Sequence, residues 1–260
     1  MMNYQFIKMT QQHGIAYIQL VDDATQNEWH APFIQELRDV AIHLRDATDI
    51  KVVVVGSTAD NFSVGTRLPA TIEDDIPQQY QTVCLATEAL ELWAKLPYPI
   101  IMAIHGQCTS LAFSFACLAD IRIIADDVQF AVPELAYGLV PAGGITQRLP
   151  RLIGKGAAMH VLLGQSTVSA EEAMALGLAT LQVTREELWN TACAEALHLS
   201  ELSTLSLQYT KECLYRGSEL PFEQGLRLEL DVYLLLQTSR DRMEGVQAFL
   251  EKRKPHFIGE

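Results

Sequence analysis

The sequence predicts an α/β fold with a layered core and a helical tail. Three observations carry this reading. Short apolar, strand-like runs alternate with stretches of helical spacing over the first two-thirds of the chain. One such run, Lys51 to Gly56, is nearly all valine, as a strand buried on both faces requires. After about Gly164 the alternation gives way to consecutive helices.

The elements follow in order. Ile15 to Leu20 reads as a strand. Ala31 to Arg45 reads as a helix, with Phe33, Leu37, Val40, Ala41 and Leu44 on one side. Beyond the valine strand, Gln81 to Leu96 is an amphipathic helix stopped by Pro97 and Pro99. Ile101 to Ile104 is a short strand that meets a tight turn at Gly106 and then a helix from Leu111 to Leu118. Ile121 to Ala125 and Gln129 to Val132 are strands, the second leading into Glu134. Ser169 opens a helix as its N-cap, Glu171 and Glu172 sit near the start, and Gly177 closes it. Glu186 to Ser200, Thr204 to Arg216 and Pro221 to Phe249 complete the helical tail.

Composition narrows the function. The chain has 260 residues, nearly half of them apolar, so it can bury a large core. Its net charge of −13 argues against nonspecific nucleic-acid binding, which needs a basic footprint. An anionic ligand would therefore need a local basic patch. Five cysteines without metal-finger spacing read as free thiols in a reducing, cytoplasmic setting. The opening Met-Met-Asn-Tyr-Gln-Phe lacks a leader's apolar run, and the most apolar stretch, Ser110 to Ala125, is too short and too charged to span a bilayer.

The chemistry concentrates between Ala103 and Arg148. Here a strand, a tight turn and a small-residue helix precede one carboxylate, Glu134, in an otherwise apolar neighbourhood. Six segments are informative together. They are Asp60 to Leu68, Asp120 to Ala125, Pro133 to Leu139, Gly144 to Leu149, Ala173 to Leu178 and Glu244 to Phe257. In this order they resemble the enoyl-CoA hydratase/isomerase (crotonase) superfamily, and the resemblance runs from about Gly14 to Phe257.

That resemblance implies a spiral of ββα units in a core at residues 1–200, with a C-terminal helical region at 201–260 that builds trimers, often paired into hexamers. It implies an acyl thioester, usually of coenzyme A, as substrate, with no separate cofactor and no metal. By motif position the oxyanion-hole donors are the backbone N–H groups of Thr66 and Leu111. Such a donor, aimed at developing negative charge, contributes roughly 2.7–4 kcal/mol. Where relatives commonly carry three glycines, this chain has Ser110-Leu111-Ala112. The backbone around Val64, Gly65 and Leu68 matches the segment that embraces adenine. Tyr233 and Lys252 match residues that contact the nucleotide, often from a neighbouring subunit.

Family hydratases use two glutamates. The second matches Glu134, but the first falls on Ser114, which is no base near neutral pH without an activating partner. The expected activity is therefore double-bond isomerisation with Glu134 as sole acid/base. A decarboxylase or other enolate-forming enzyme is the alternative, although the lysine and tyrosine that such decarboxylases use find no match. A catalytically weak acyl-CoA-binding or assembly subunit is the third reading. The segment Asp22 to Glu28 lacks the basic residue many relatives use for phosphate and carries two aspartates, which leaves a carrier-protein thioester open. His105 reads as a hydrogen-bonded turn residue, Cys108 and Cys117 as core, and Glu134 as either a base or a turn cap. Arg67 reads as a loop cation or an anion contact, and Tyr137 as a pocket wall or packing. Chain-length choice is expected from the region Pro69 to Tyr80.

Overall fold

The computed structural model describes residues 4–66 and 76–260. Its main sheet has six strands in the order β1-β2-β3-β4-β6-β9. These are β1 (Ile7–Gln12), β2 (Ile15–Leu20), β3 (Val52–Ser57), β4 (Ile100–Ile104), β6 (Ile121–Ala125) and β9 (Leu181–Val183). β1 pairs antiparallel with β2, and every later pairing in the sheet is parallel. A second sheet runs β5-β7-β8, built from β5 (Gln107–Thr109), β7 (Gln129–Ala131) and β8 (Val168–Ser169).

The valine run behaves as expected for a doubly covered strand. Val53 and Val55 join a core under α1 (Ala31–Asp46) and α2 (Ile76–Ala94). Val52 and Val54 face the opposite side, with Leu188, Ala192 and Ala196 of α7 (Arg185–Ser200). Period-two alternation thus supplies both faces from one strand. α1 starts where His30 caps it, its Nδ1 accepting the Phe33 N–H at 3.2 Å. α3 (Leu111–Ala116) is buried along its whole length, because it is made of small and apolar residues and sits inside the core. Its Phe115 ring lies 5.0 Å from Trp93 and 5.8 Å from Trp29.

α4 (Ile145–Ile153), α5 (Lys155–Gly164) and α6 (Ala170–Ala175) follow. Ser169 caps α6 in a reciprocal box with Glu172, and Gly177 follows in a left-handed conformation. The tail holds α8 (Thr204–Ser218), α9 (Phe222–Leu236) and α10 (Arg240–Glu251). The single helix expected from Pro221 to Phe249 is thus two. Ser239 interrupts it as an N-cap, accepting the Arg242 N–H at 3.0 Å. Neither α8 nor α9 buries a residue. Lys211 of α8 ties the hairpin to the core, with its Nζ 2.8 Å from both Asp120 Oδ2 and the Tyr98 carbonyl. Among the described residues no helix is long and apolar enough to cross a membrane.

Candidate active site

The site forms where the segment 62–66 runs beside β5. The Phe62 and Ser63 N–H groups donate to the His105 and Gln107 carbonyls, and the Thr109 N–H donates to the Ser63 carbonyl. Thr109 Oγ1 then donates to the Val64 carbonyl at 2.6 Å. The approach at Gly65 is close enough to exclude any side chain. A Cβ there would lie 2.1 Å from the Thr109 carbonyl oxygen and 2.7 Å from Ser110 Cβ. Gly65 also has φ +73, a conformation glycine adopts without steric cost.

This contact brings the Gly65–Thr66 and Ser110–Leu111 peptides together, and hydrogen bonds fix how each is turned. The Trp29 N–H donates to the Gly65 carbonyl at 2.9 Å. In a trans peptide the N–H points away from its carbonyl, so the Thr66 N–H faces away from Trp29. The Ser110 carbonyl accepts the Ser114 N–H at 3.2 Å, inside the first turn of α3. The Leu111 N–H therefore points out of the helix start, where the helix carries partial positive charge. No backbone acceptor among the described residues takes either N–H.

Glu134 arrives from β7, the neighbour of β5 in the same three-stranded sheet. The Ser110 N–H donates to the Ala131 carbonyl at the end of β7, three residues before Glu134. Glu134 opens a 3-10 turn, Glu134–Tyr137, instead of ending a strand, because Pro133 has left the extended conformation. Its side chain is buried, and Oε1 accepts the Ser110 hydroxyl at 2.5 Å. Oε2 is buried without a partner, as is Thr66 Oγ1. An unsatisfied buried polar atom is costly, so a carboxylate oxygen left this way calls for a ligand that the core itself does not supply.

Ser114 is also buried, and its hydroxyl donates to the Ala142 carbonyl at 2.8 Å. The turn around Gly143 closes over it. A Cβ on Gly143 would lie 2.9 Å from Ser114 Cβ and from Leu111 Cδ2. Leu111 thus turns its side chain toward that turn. The conformational burden of the missing glycines falls on Ser110, at φ 56 and ψ −128.

The remaining candidates are placed as follows. Val64 is held by its carbonyl and by an N–H donated to the Gln26 carbonyl at 3.1 Å. Leu68, Arg67 and the part of the proposed chain-length region at 69–75 lie outside the described residues. Tyr233 is exposed on α9, in the groove facing α8, and Lys252 ends α10 in a left-handed conformation. His105 is a turn residue as expected, with Nε2 2.9 Å from the Ala59 carbonyl, and burial pushes its pKa down. Cys108 and Cys117 are core, and burial holds both thiols protonated, the second pushed up to about 12. Tyr137 is half exposed, so it is not core packing. Among the described residues no group of His, Cys, Asp and Glu could hold a metal ion. Sequence reasoning missed Ser110 as a partner of Glu134. Only its place among missing glycines set it apart.

The family model for enoyl-CoA hydratase/isomerase matches residues 10–260. The chain belongs to the enoyl-CoA hydratase/isomerase family. Among its relatives, the 2,3-dehydroadipyl-CoA hydratase of Escherichia coli is 28% identical over 96% of this chain and 98% of its own. The carnitinyl-CoA dehydratase of Citrobacter koseri is 30% identical over 95% of this chain and 96% of its own. A crystal structure of enoyl-CoA hydratase from Bacillus anthracis superimposes with a TM-score of 0.94 at 27% identity, covering 98% of this chain and all of the other. The crotonase-type fold expected from the sequence is therefore the fold of this protein.

Proposed function

We propose that this family member isomerises 3-enoyl thioesters to their conjugated 2-enoyl form, with Glu134 as its single acid/base. The observation that carries the reading is the unequal fate of the two carboxylate positions. Glu134 is buried with one oxygen unpartnered, while Ser114 stands at the other position and spends its hydroxyl on the Ala142 carbonyl. Hydration needs a second group to handle water, and Ser114 offers none.

The steps balance without a co-reactant. Glu134 Oε2 takes a proton from C2 of the 3-enoyl thioester, and the electron pair moves onto the thioester oxygen. The Thr66 and Leu111 N–H groups hold the resulting dienolate. Glu134 returns the proton to C4 as the pair flows back, and the double bond now lies between C2 and C3. Coenzyme A is the favoured carrier on family grounds, with Val64, Gly65, Leu68, Tyr233 and Lys252 as its contacts. Tyr233 and Lys252 lie on the helices whose apolar faces stand exposed, which supports a trimer in which they serve a neighbouring site.

The test is a panel of 3-enoyl- and 2-enoyl-CoA esters of increasing length, given to the purified protein. Growth of conjugated-enoyl absorbance from the 3-enoyl esters, with little hydration of crotonyl-CoA, is the expected result. Robust hydration with no isomerisation would reject the reading.

A further inference from the structure

We propose that Ser110 is a positioning residue that holds Glu134 by Oε1, so that Oε2 alone carries the proton. This rests on the reading of Glu134 as the acid/base. Three observations converge. Ser110 occupies a conformation, φ 56 and ψ −128, that glycine adopts readily and serine does not. Such strain persists only where surrounding structure enforces it, and it gathers at functional sites. The serine is also the residue before α3, where a side-chain oxygen would ordinarily accept an N–H of the first turn. It makes no such cap. Its hydroxyl goes instead to Glu134 Oε1 at 2.5 Å, inside the core, where both residues are almost fully buried.

The arrangement divides the carboxylate. Oε1 is occupied by a donor whose position is set by the backbone, because the Ser110 N–H is held by Ala131 and its carbonyl by Ser114. Oε2 has no partner. A free carboxylate can rotate and present either oxygen. A carboxylate fixed at one oxygen presents the other along one direction, which suits a base that must reach C2 and then C4 of the same molecule. Ser110 thus restrains the one remaining acid/base in a site where the second is replaced by Ser114.

The test uses Ser110→Gly and Ser110→Ala in the full-length protein. Ser110→Gly removes the hydroxyl and the strain together. Its thermal midpoint should stay the same or rise, while kcat on a 3-enoyl-CoA falls about 10- to 100-fold, the worth of a hydrogen bond to a charged group, with KM little changed. Ser110→Ala keeps the strain, and its kcat should fall equally with a lower midpoint. In D2O, product made by either variant should carry more deuterium at C4 than wild-type product, because a loosened carboxyl exchanges its proton before returning it. A packing role would lower stability and leave the isotope pattern unmoved. Wild-type kcat and isotope pattern in Ser110→Gly, with Glu134→Gln inactive, would overturn this proposal and leave the reading of Glu134 standing. Full activity in Glu134→Gln would remove both.

Discussion

Replacing Glu134 by glutamine is the sharpest test of the chemistry. The amide oxygen can still accept from the Ser110 hydroxyl, which now lies 2.5 Å from Oε1. At the other corner an NH2 replaces Oε2, an atom that has no partner to lose. The fold therefore forfeits only the charge assistance in one hydrogen bond, about 1 kcal/mol. For a chain of this size that lowers the thermal midpoint by about 2–4 °C. Catalysis loses its base altogether. Turnover should fall by about 10²–10⁴-fold. That corresponds to about 2.7–5.4 kcal/mol in activation free energy. The assay is conjugated-enoyl absorbance from a 3-enoyl-CoA, with calorimetric binding of a saturated acyl-CoA and a melting curve as controls. Binding and folding should survive. Wild-type turnover in a variant that binds and melts normally would show that Glu134 does not move the proton. A variant that melts far lower would identify it as the cap of the 133–138 turn.

Four further outcomes are expected. Ser114→Glu should raise crotonyl-CoA hydration detectably by supplying a second carboxylate, with a lower melting point because the hydroxyl bond to the Ala142 carbonyl is lost; a folded variant with no hydration would count against the two-carboxylate argument. Gly65→Ala should abolish turnover, because its methyl group would meet the Thr109 carbonyl, and an active, stable variant would disprove the close approach. Light scattering at micromolar concentration should give a trimer or hexamer, since Leu214, Phe222, Phe249 and Leu250 are all at least 70% exposed; a stable monomer would refute the reading of the tail. Burial lowers the His105 pKa, so the unfolded chain takes up this proton first, and its contribution is present above about pH 6.5 and lost as pH falls. Denaturant melts at pH 7 and pH 5 should show a smaller loss for His105→Asn than for wild type; equal losses would exclude the effect.

What was legible in the sequence was what periodicity encodes. The valine strand and the α1 stripe announce themselves because each residue's side is fixed by its spacing. β1 was not seen, since Ile7-Lys-Met-Thr-Gln-Gln12 is an edge strand with mostly exposed residues and no apolar run. β5, β8 and β9 span two or three residues, too short for any period. The break at Ser239 was passed over because apolar residues continue on both sides and only its capping hydroxyl stops the helix. At the site, motif position singles out Thr66, Leu111 and Glu134 as candidates. The Ser110 bond joins residues 24 apart through the pairing of β5 with β7, so no local pattern carries it.

The tether from Trp29 to Gly65 has a consequence for how this chain can be cut and rejoined. The loop before Trp29 is anchored by Asn27, fully buried, whose amide donates to Ser57 Oγ at 2.8 Å and to the Phe62 carbonyl at 3.0 Å. Ser63 Oγ closes the circuit, donating to the Asn27 carbonyl while accepting the Gly65 N–H. The direction of one proposed oxyanion donor is thus written in the first thirty residues, although the carboxylate is about a hundred residues further on. A circular permutant opened between Asn27 and Trp29 could keep every strand and still lose the aim of Thr66. One opened at the exposed end of α9 would leave that aim intact.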